Sequence, residues 1–318
     1  MQRMTTFERL LSAHLLLGEG SMYERLRREP AVRFDVEVAH ATLVYDDAAR
    51  AVLERTHREY LDIGQAHRVP MLTATDTWRA NRERQDRSPF REHAVNGDNV
   101  RFLQDLRSSY GTGAAPIMIG GSIGPRGDAY RPREALDRET AAAFHAPQVA
   151  ALAEAGPDYL IGNTLPAVSE AHGIADAFAA TGLPYIVSFV VRPDGTVLDG
   201  TPLRRAVETI DAATSSAPVG YGINCVHPSV IGDALAAAGD AAQRVVYFQA
   251  NASALGPDVL DGRDDLDADD PDVLAAAMHD VRIRFGIPAL GGCCGTGTEH
   301  IAALARACPE RRRRAPAA

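Results

Sequence analysis

Eight short apolar or β-branched runs alternate with longer amphipathic stretches along this chain, and that count constrains its fold more than any other feature. The runs are Leu15 to Gly20, Val69 to Thr75, Pro116 to Gly121, Tyr159 to Asn163, Tyr185 to Phe189, Val219 to Cys225, Arg244 to Ala250 and Pro288 to Cys293. Helical patterns lie between them, among them Asp46 to Ile63, Asp98 to Tyr110, Arg138 to Ala155, Pro202 to Ala213, Pro228 to Ala238 and Pro271 to Phe285. Several open on Asp or Pro, as helix starts do. Eight strand–helix rounds predict an α/β chain closed as a (β/α)8 TIM barrel, in a single domain over residues 1–310. A doubly wound open sheet would carry a glycine-rich phosphate turn after an early strand, and Gly18-Glu19-Gly20-Ser21 is a poor version of one.

The 318 residues are 46% hydrophobic and 24% charged, enough to bury one large core without a second domain. Met1 to Leu17 mixes Arg3, Glu8 and Arg9 with an apolar run too short to span a bilayer, so a cytoplasmic protein with no membrane partner is expected. A net charge of -9 argues against nucleic acid, whose phosphates need a basic face. The one basic cluster, Arg311 to Arg314, opens a tail over 311–318 that reads as solvated and disordered. Two irregular connections stand out. Arg79 to Gly97 shows no helical period, and Pro257 to Asp270 is rich in Asp. The first reads as a flap over the rim or a mobile excursion, and both follow strands at the carboxyl rim and suit a lid over it.

The chemistry concentrates in four cysteines. Gly291-Gly292-Cys293-Cys294-Gly295-Thr296 ends the eighth strand and Gly222-Ile223-Asn224-Cys225 ends the sixth. Four cysteines in this length make no disulfide framework, and adjacent cysteines rarely cross-link to each other. Three thiols in a glycine frame suit a soft metal ion, with Zn2+ first, and leave a tetrahedral ion one position short. An open position marks a catalytic site, and a substrate thiolate entering it stays nucleophilic because the metal keeps it deprotonated. In a barrel all three sulfurs sit at the carboxyl rim, where such folds keep their chemistry. Cys308, past a full helix, is a poor fourth ligand, and three unconnected buried cysteines are the bland alternative.

Gly-Gly-Cys-Cys-Gly-Thr followed by Glu299-His300-Ile301, together with Gly-Ile-Asn-Cys, resembles the closing and middle signatures of the homocysteine S-methyltransferase family. The resemblance runs nearly the whole chain. Fainter echoes are His57 and Tyr60 in the first long helix, Gly121 to Pro125 after strand three, and Asn251 after strand seven. It implies Cys225, Cys293 and Cys294 as catalytic zinc ligands, a small-molecule thiol as the incoming group, and a donor whose methyl carbon is activated by positive charge. A homo-oligomer is compatible with the chain, and no residue bears on it.

Departures from that family pattern bear on the substrate. Where the family has an Asp-Gly pair that holds the homocysteine ammonium, this chain has Glu19-Gly20, longer by one methylene. Where it has Glu-Thr after strand four, this chain has Asn163-Thr164, and losing a charge-assisted hydrogen bond costs about 1.5 to 3 kcal/mol. Ser122, Asn224 and Asn251 are placed at the rim as substrate-binding groups, and Tyr221 is expected to point there with them. Asp76 would balance donor charge or cap a helix. Trp78 would face a cationic donor, worth about 0.5 to 2 kcal/mol, or cover the rim loops. His227, two residues beyond Cys225, reads as a solvent-facing helix start or as a group buttressing the metal ligands.

Taken together these features predict a zinc-dependent S-methyltransferase acting on homocysteine or a related thiol or selenol. Two alternatives remain at this level: a demethylase of a methylated osmolyte or natural product that uses another thiol, and a catalytically silent zinc-thiolate sensor or binding barrel. A barrel hydrolase is disfavoured, since no nitrogen-rich metal set closes a strand.

Overall fold

Parallel strands cannot be joined by a tight hairpin, so each of the eight apolar runs needs a crossover, and repeated crossovers of one hand curl the sheet until its edges meet. The computed structural model, which describes residues 4–255 and 268–308, shows that closure. The strands are β1 (Leu16–Gly18), β2 (Met71–Ala74), β3 (Ile117–Ile123), β4 (Tyr159–Leu165), β5 (Tyr185–Phe189), β6 (Gly220–Val226), β7 (Val245–Ala250) and β8 (Ala289–Gly292). Each pairs in parallel with the next, and β8 returns to β1 through Leu16 with Ala289 and Leu17 with Leu290. The strands are buried almost throughout because both faces of the sheet are covered.

The helices are α1 (Thr6–Ala13), α2 (Met22–Leu26), α3 (Asp47–His67), α4 (Arg82–Arg87), α5 (Val95–Ser108), α6 (Arg138–Glu154), α7 (Val168–Ala179), α8 (Leu203–Ala213), α9 (Pro228–Ala238), α10 (Pro271–Phe285) and α11 (Thr298–Ala307). Asp46 starts α3 by accepting from the Ala49 amide at 2.8 Å, and Asp137 starts α6 by accepting from Thr140 at 3.0 Å. Both caps satisfy backbone donors that a helix start leaves unpaired. Two cores result. A large one lies between barrel and helices, and a smaller one includes Leu16, Leu72, Met118, Ile161 and Ile186, with Phe7 of α1 stacked on Tyr159 at 4.3 Å between ring centroids. No described helix is long and apolar enough to cross a membrane.

The connection from Arg79 to Gly97 differs from its sequence reading. It contains α4 and the start of α5. A helix of 6 residues is too short to display a hydrophobic period, so local bonds define it instead. Asn81 accepts from the Arg84 amide at 3.0 Å, and the buried Gln85 amide donates to the His93 carbonyl at 2.7 Å. The other expected irregular connection, Pro257 to Asp270, lies outside the described residues up to 267, as does the basic tail over 311–318.

Helices α6 and α7 are in close contact at Gly173. A β carbon there would sit 2.3 Å from the Arg138 carbonyl oxygen and 2.6 Å from the Ala141 β carbon. Alanine would gain up to about 1 kcal/mol of helix propensity, but overpacking costs about 1 to 3 kcal/mol and the contact includes backbone that cannot swing away. Gly173→Ala is therefore expected to lower the urea midpoint and melting temperature. A more stable variant would contradict this packing.

Candidate active site

Strict alternation along β6 puts Tyr221, Ile223 and Cys225 on one face, toward the helices. Tyr221 obeys it: its hydroxyl donates to Asp211 of α8 at 2.9 Å, so it faces away from the mouth, contrary to the sequence reading. Cys225 escapes it. Its backbone is left-handed, with φ of 56°, and the pairing with β7 shifts register between Asn224 and Val226. A bulge of this kind re-aims a side chain, and here the sulfur turns to meet Cys293 and Cys294 beyond β8.

The three sulfurs lie within 4.8 Å of one another. Cys225 and Cys293, 5.5 Å apart at Cα, are joined as a disulfide, and Cys294 is free. The turn carrying the pair is held by backbone bonds. The Cys293 amide donates to Ala250 at 2.7 Å, the Cys294 carbonyl accepts from Ala252 at 2.9 Å, and Thr296 donates its hydroxyl to the Cys293 carbonyl at 2.7 Å. Space is tight beneath it: a β carbon on Gly292 would lie 2.1 Å from Thr296 Oγ1 and 3.1 Å from Gly20 Cα.

Tetrahedral zinc binds sulfur at about 2.3 Å, which sets its ligands about 3.8 Å apart, so the reduced trio fits the ion. Disulfide and metal occupancy exclude each other, because ligation needs thiolates. Burial pushes the Cys294 thiol up to about 11, and a metal ion's charge would reverse that. Cys308 stays apart, with the His279 ring 3.1 Å from its sulfur.

Asn224 organises the wall beside Cys225. Its Oδ1 accepts from Ser188 at 2.6 Å and from the Thr164 amide at 3.0 Å, while Nδ2 donates to Thr164 Oγ1 at 2.6 Å and to Cys225 Sγ at 3.5 Å. Thr164 is also left-handed, with φ of 60°. Such residues cost about 1 to 3 kcal/mol each and persist where surroundings fix them, as this amide does on both strands.

Across the mouth runs a chain of buried charge. His57, fully buried in α3, meets Glu19 Oε1 through Nδ1 at 2.6 Å and Asp76 Oδ2 through Nε2 at 3.0 Å, and His40 lies 3.2 Å from Asp76 Oδ1. Glu19 also accepts from the Thr73 hydroxyl at 2.9 Å and the Ala74 amide at 3.3 Å. Burial alone would lower the His57 pKa, but the charges of Glu19 and Asp76 outweigh it and push it up to about 10. Burial would raise Asp76, yet the His57 charge holds it well below the usual carboxylate range. Asp76 thus caps no helix. It braces two histidines.

Trp78 is half-buried. Its indole Nε1 donates to the Asn163 carbonyl at 3.0 Å and the Arg79 guanidinium lies over its ring at 4.7 Å, so a cation already occupies the ring. Asn163 Nδ2 donates to Ser122 at 3.1 Å, while its Oδ1, like that of Asn251, is buried with no partner among the described residues. His227 caps α9, as expected, and meets Asp269 at 3.0 Å.

The family model described as homocysteine S-methyltransferase matches residues 16–308. The chain belongs to the homocysteine S-methyltransferase family. It is 34% identical to the homocysteine S-methyltransferase of Escherichia coli strain K12 over 143 residues, 42% of this chain and 46% of that protein. With homocysteine S-methyltransferase YbgG of Bacillus subtilis it shares 27% over 199 residues, 59% of this chain and 60% of that one. With betaine–homocysteine S-methyltransferase 1 of Bos taurus it shares 25% over 324 residues, 96% of this chain and 75% of that one. The chain thus spans about half the length of the first of these relatives. Its fold matches the homocysteine methyltransferase MmuM of Escherichia coli in an oxidised form, with TM-score 0.71, 25% identity and cover of 92% and 94%. It also matches a metallated form, with TM-score 0.73, 24% identity and cover of 94% and 98%.

His40, Thr73, Ser188 and Arg79 join this family site without having been read from the sequence. His40 sits in a short 3-10 turn with no period to mark it, and Ser188 reads as one polar residue in an apolar strand. The His57 cluster generates a pH prediction. A histidine raised from 6.5 to about 10 stabilises the fold fully below about pH 6.5 and loses that contribution as pH rises to about 10. Asp76, depressed from 3.8, contributes above its unfolded value and loses it as pH falls. Melting temperature should therefore peak between these limits. His57→Gln should cost about 3 to 5 kcal/mol, by stranding two carboxylates, and flatten the alkaline limb. An unchanged limb in that variant would refute the charged His57.

Proposed function

We propose that the chain is a zinc-dependent thiol S-methyltransferase, moving a methyl group from a sulfonium or ammonium donor to homocysteine or a related thiol or selenol. The observation that supports this best is the convergence of Cys225, Cys293 and Cys294 from two strands onto one spot at the barrel mouth. When bound there, zinc would supply a Lewis acid that lets an acceptor thiol ionise near neutral pH.

The step balances simply. The acceptor sulfur's electron pair forms the new S–C bond as the donor's C–S or C–N bond breaks, the donor leaves as a neutral thioether or amine, and the thiol proton passes to solvent. No strong general base is needed. The protein's work is placement, since holding both reactants in line replaces a bimolecular encounter. Asn224 keeps the Cys225 sulfur in place through its N–H···S contact, and Thr296 locks the turn that presents Cys293 and Cys294. Asn163, with a free Oδ1, can accept one hydrogen bond from an acceptor's ammonium.

One observation favours a second acceptor. The Glu19 carboxylate is already engaged by His57, Thr73 and Ala74, and Asn163 is neutral, so compensation for an ammonium is weaker here than beside two free carboxylates. A thiol other than homocysteine, with demethylation of the donor as the useful outcome, follows from that reading.

Zinc content and turnover decide the core proposal. Cys225→Ser and Cys293→Ser should each lose stoichiometric zinc and methyl transfer together, and a variant retaining full metal would overturn the ligand assignment. Asn163→Glu should lower the KM for homocysteine about tenfold or more while leaving its desamino counterpart, 4-mercaptobutyrate, unchanged. Equal effects on both thiols would remove position 163 from ammonium recognition.

A further inference from the structure

Arg79 is a half-buried cation with no pairing group among the described residues. It follows Trp78 at the carboxyl end of β2, and among the described residues its guanidinium makes no hydrogen bond and has no carboxylate within 4.0 Å. The acids nearby are committed elsewhere. Asp76 serves His57 and His40, Asp128 accepts from the Tyr130 amide at 2.8 Å, and Glu83 meets Arg87 and Arg126, each at 3.1 Å. Burial, together with the like charge of Arg84, lowers the Arg79 pKa. A desolvated, uncompensated charge is costly, and proteins normally pair it.

Trp78 is fixed at two points, by its indole N–H on the Asn163 carbonyl at 3.0 Å and by its own carbonyl accepting from the Gly124 amide at 3.0 Å. A guanidinium lying over that indole keeps its N–H edge free for a planar, two-oxygen acceptor, the geometry that arginine reads in carboxylates. Trp78 therefore ties two unsatisfied groups together at the mouth: the Arg79 fork, and the buried Asn163 Oδ1 that lacks a donor. One wants an anion and the other an N–H or O–H. Neither demand is met among the described residues.

Resting on the reading that this mouth binds a thiol acceptor and a methyl donor, we propose that Arg79 is an anion subsite that takes the carboxylate of one of those two substrates. A carboxylate bound here anchors the far end of a substrate whose reacting atom lies toward the cysteines on β6 and β8. Arg79 is then a specificity-determining residue and takes no part in bond making.

The test is calorimetric binding to the reduced, zinc-loaded chain, with turnover measured alongside. The probes are homocysteine and its amide as acceptors, and S-methylmethionine and its amide as donors. Arg79→Gln should weaken the acid form of one substrate about ten- to hundredfold and leave its amide unaffected. Whichever pair shows that split names the substrate. Arg79→Lys, which keeps charge without the fork, should fall between. If Arg79→Gln binds acids as the parent does, weakens acid and amide alike, or if the parent binds neither acid, the subsite is refuted. An acid-selective loss without methyl transfer would sustain the subsite and sink the methyltransferase reading. Transfer that ignores position 79 would do the reverse.

Discussion

The convergence of three sulfurs at the ends of β6 and β8 is the constraint on which the site depends. Cys225 and Cys293 are 68 residues apart in sequence, and only a closed barrel places the strand between them so that both reach one point. Each of the three must also leave the regular strand path. Cys225 does so through a left-handed backbone and a shift in register, and the pair beyond β8 does so through a glycine-framed turn tied down by Thr296 and Ala252. The strain held at Cys225 is tolerable because the neighbouring strands fix the surrounding amides.

Opposite that cluster, the mouth is built from paired charge. Glu19, His57 and Asp76 bury two carboxylates around one imidazolium, a combination that is stable only when every partner is in place. This arrangement decides what the Glu19 carboxylate can do. Its extra methylene, measured against the Asp of the family pattern, is spent reaching inward to a histidine and a strand amide. Among the described residues at the mouth, Asn163 and Arg79 retain unmet bonding capacity.

Much of the fold was legible because burial on both faces of a parallel sheet leaves long apolar runs that stand out from amphipathic helices. β5 matches its predicted span at both ends, as do α9 and α10. β1 is shorter than expected, since Glu19 and Gly20 leave the strand to build the site. The short α4 went unread because 6 residues carry no detectable period and its stability comes from Asn81 and Gln85. Within the site, glycine-framed cysteines were readable as a group that could hold a metal, whereas the partners of His57, the outward face of Tyr221 and the cation over Trp78 were not. Those depend on which residues the barrel brings side by side.

Local sequence by itself determined the strand–helix alternation, the cap residues and the presence of three ligand-type sulfurs at strand ends, because each is set by neighbours within a few positions. Only tertiary structure decided that the sulfurs share one site, that Glu19 turns inward to His57, and that Arg79 has no carboxylate partner among the described residues. Those outcomes follow from distances between residues tens to hundreds of positions apart, which the closure of eight strands sets and no local pattern encodes.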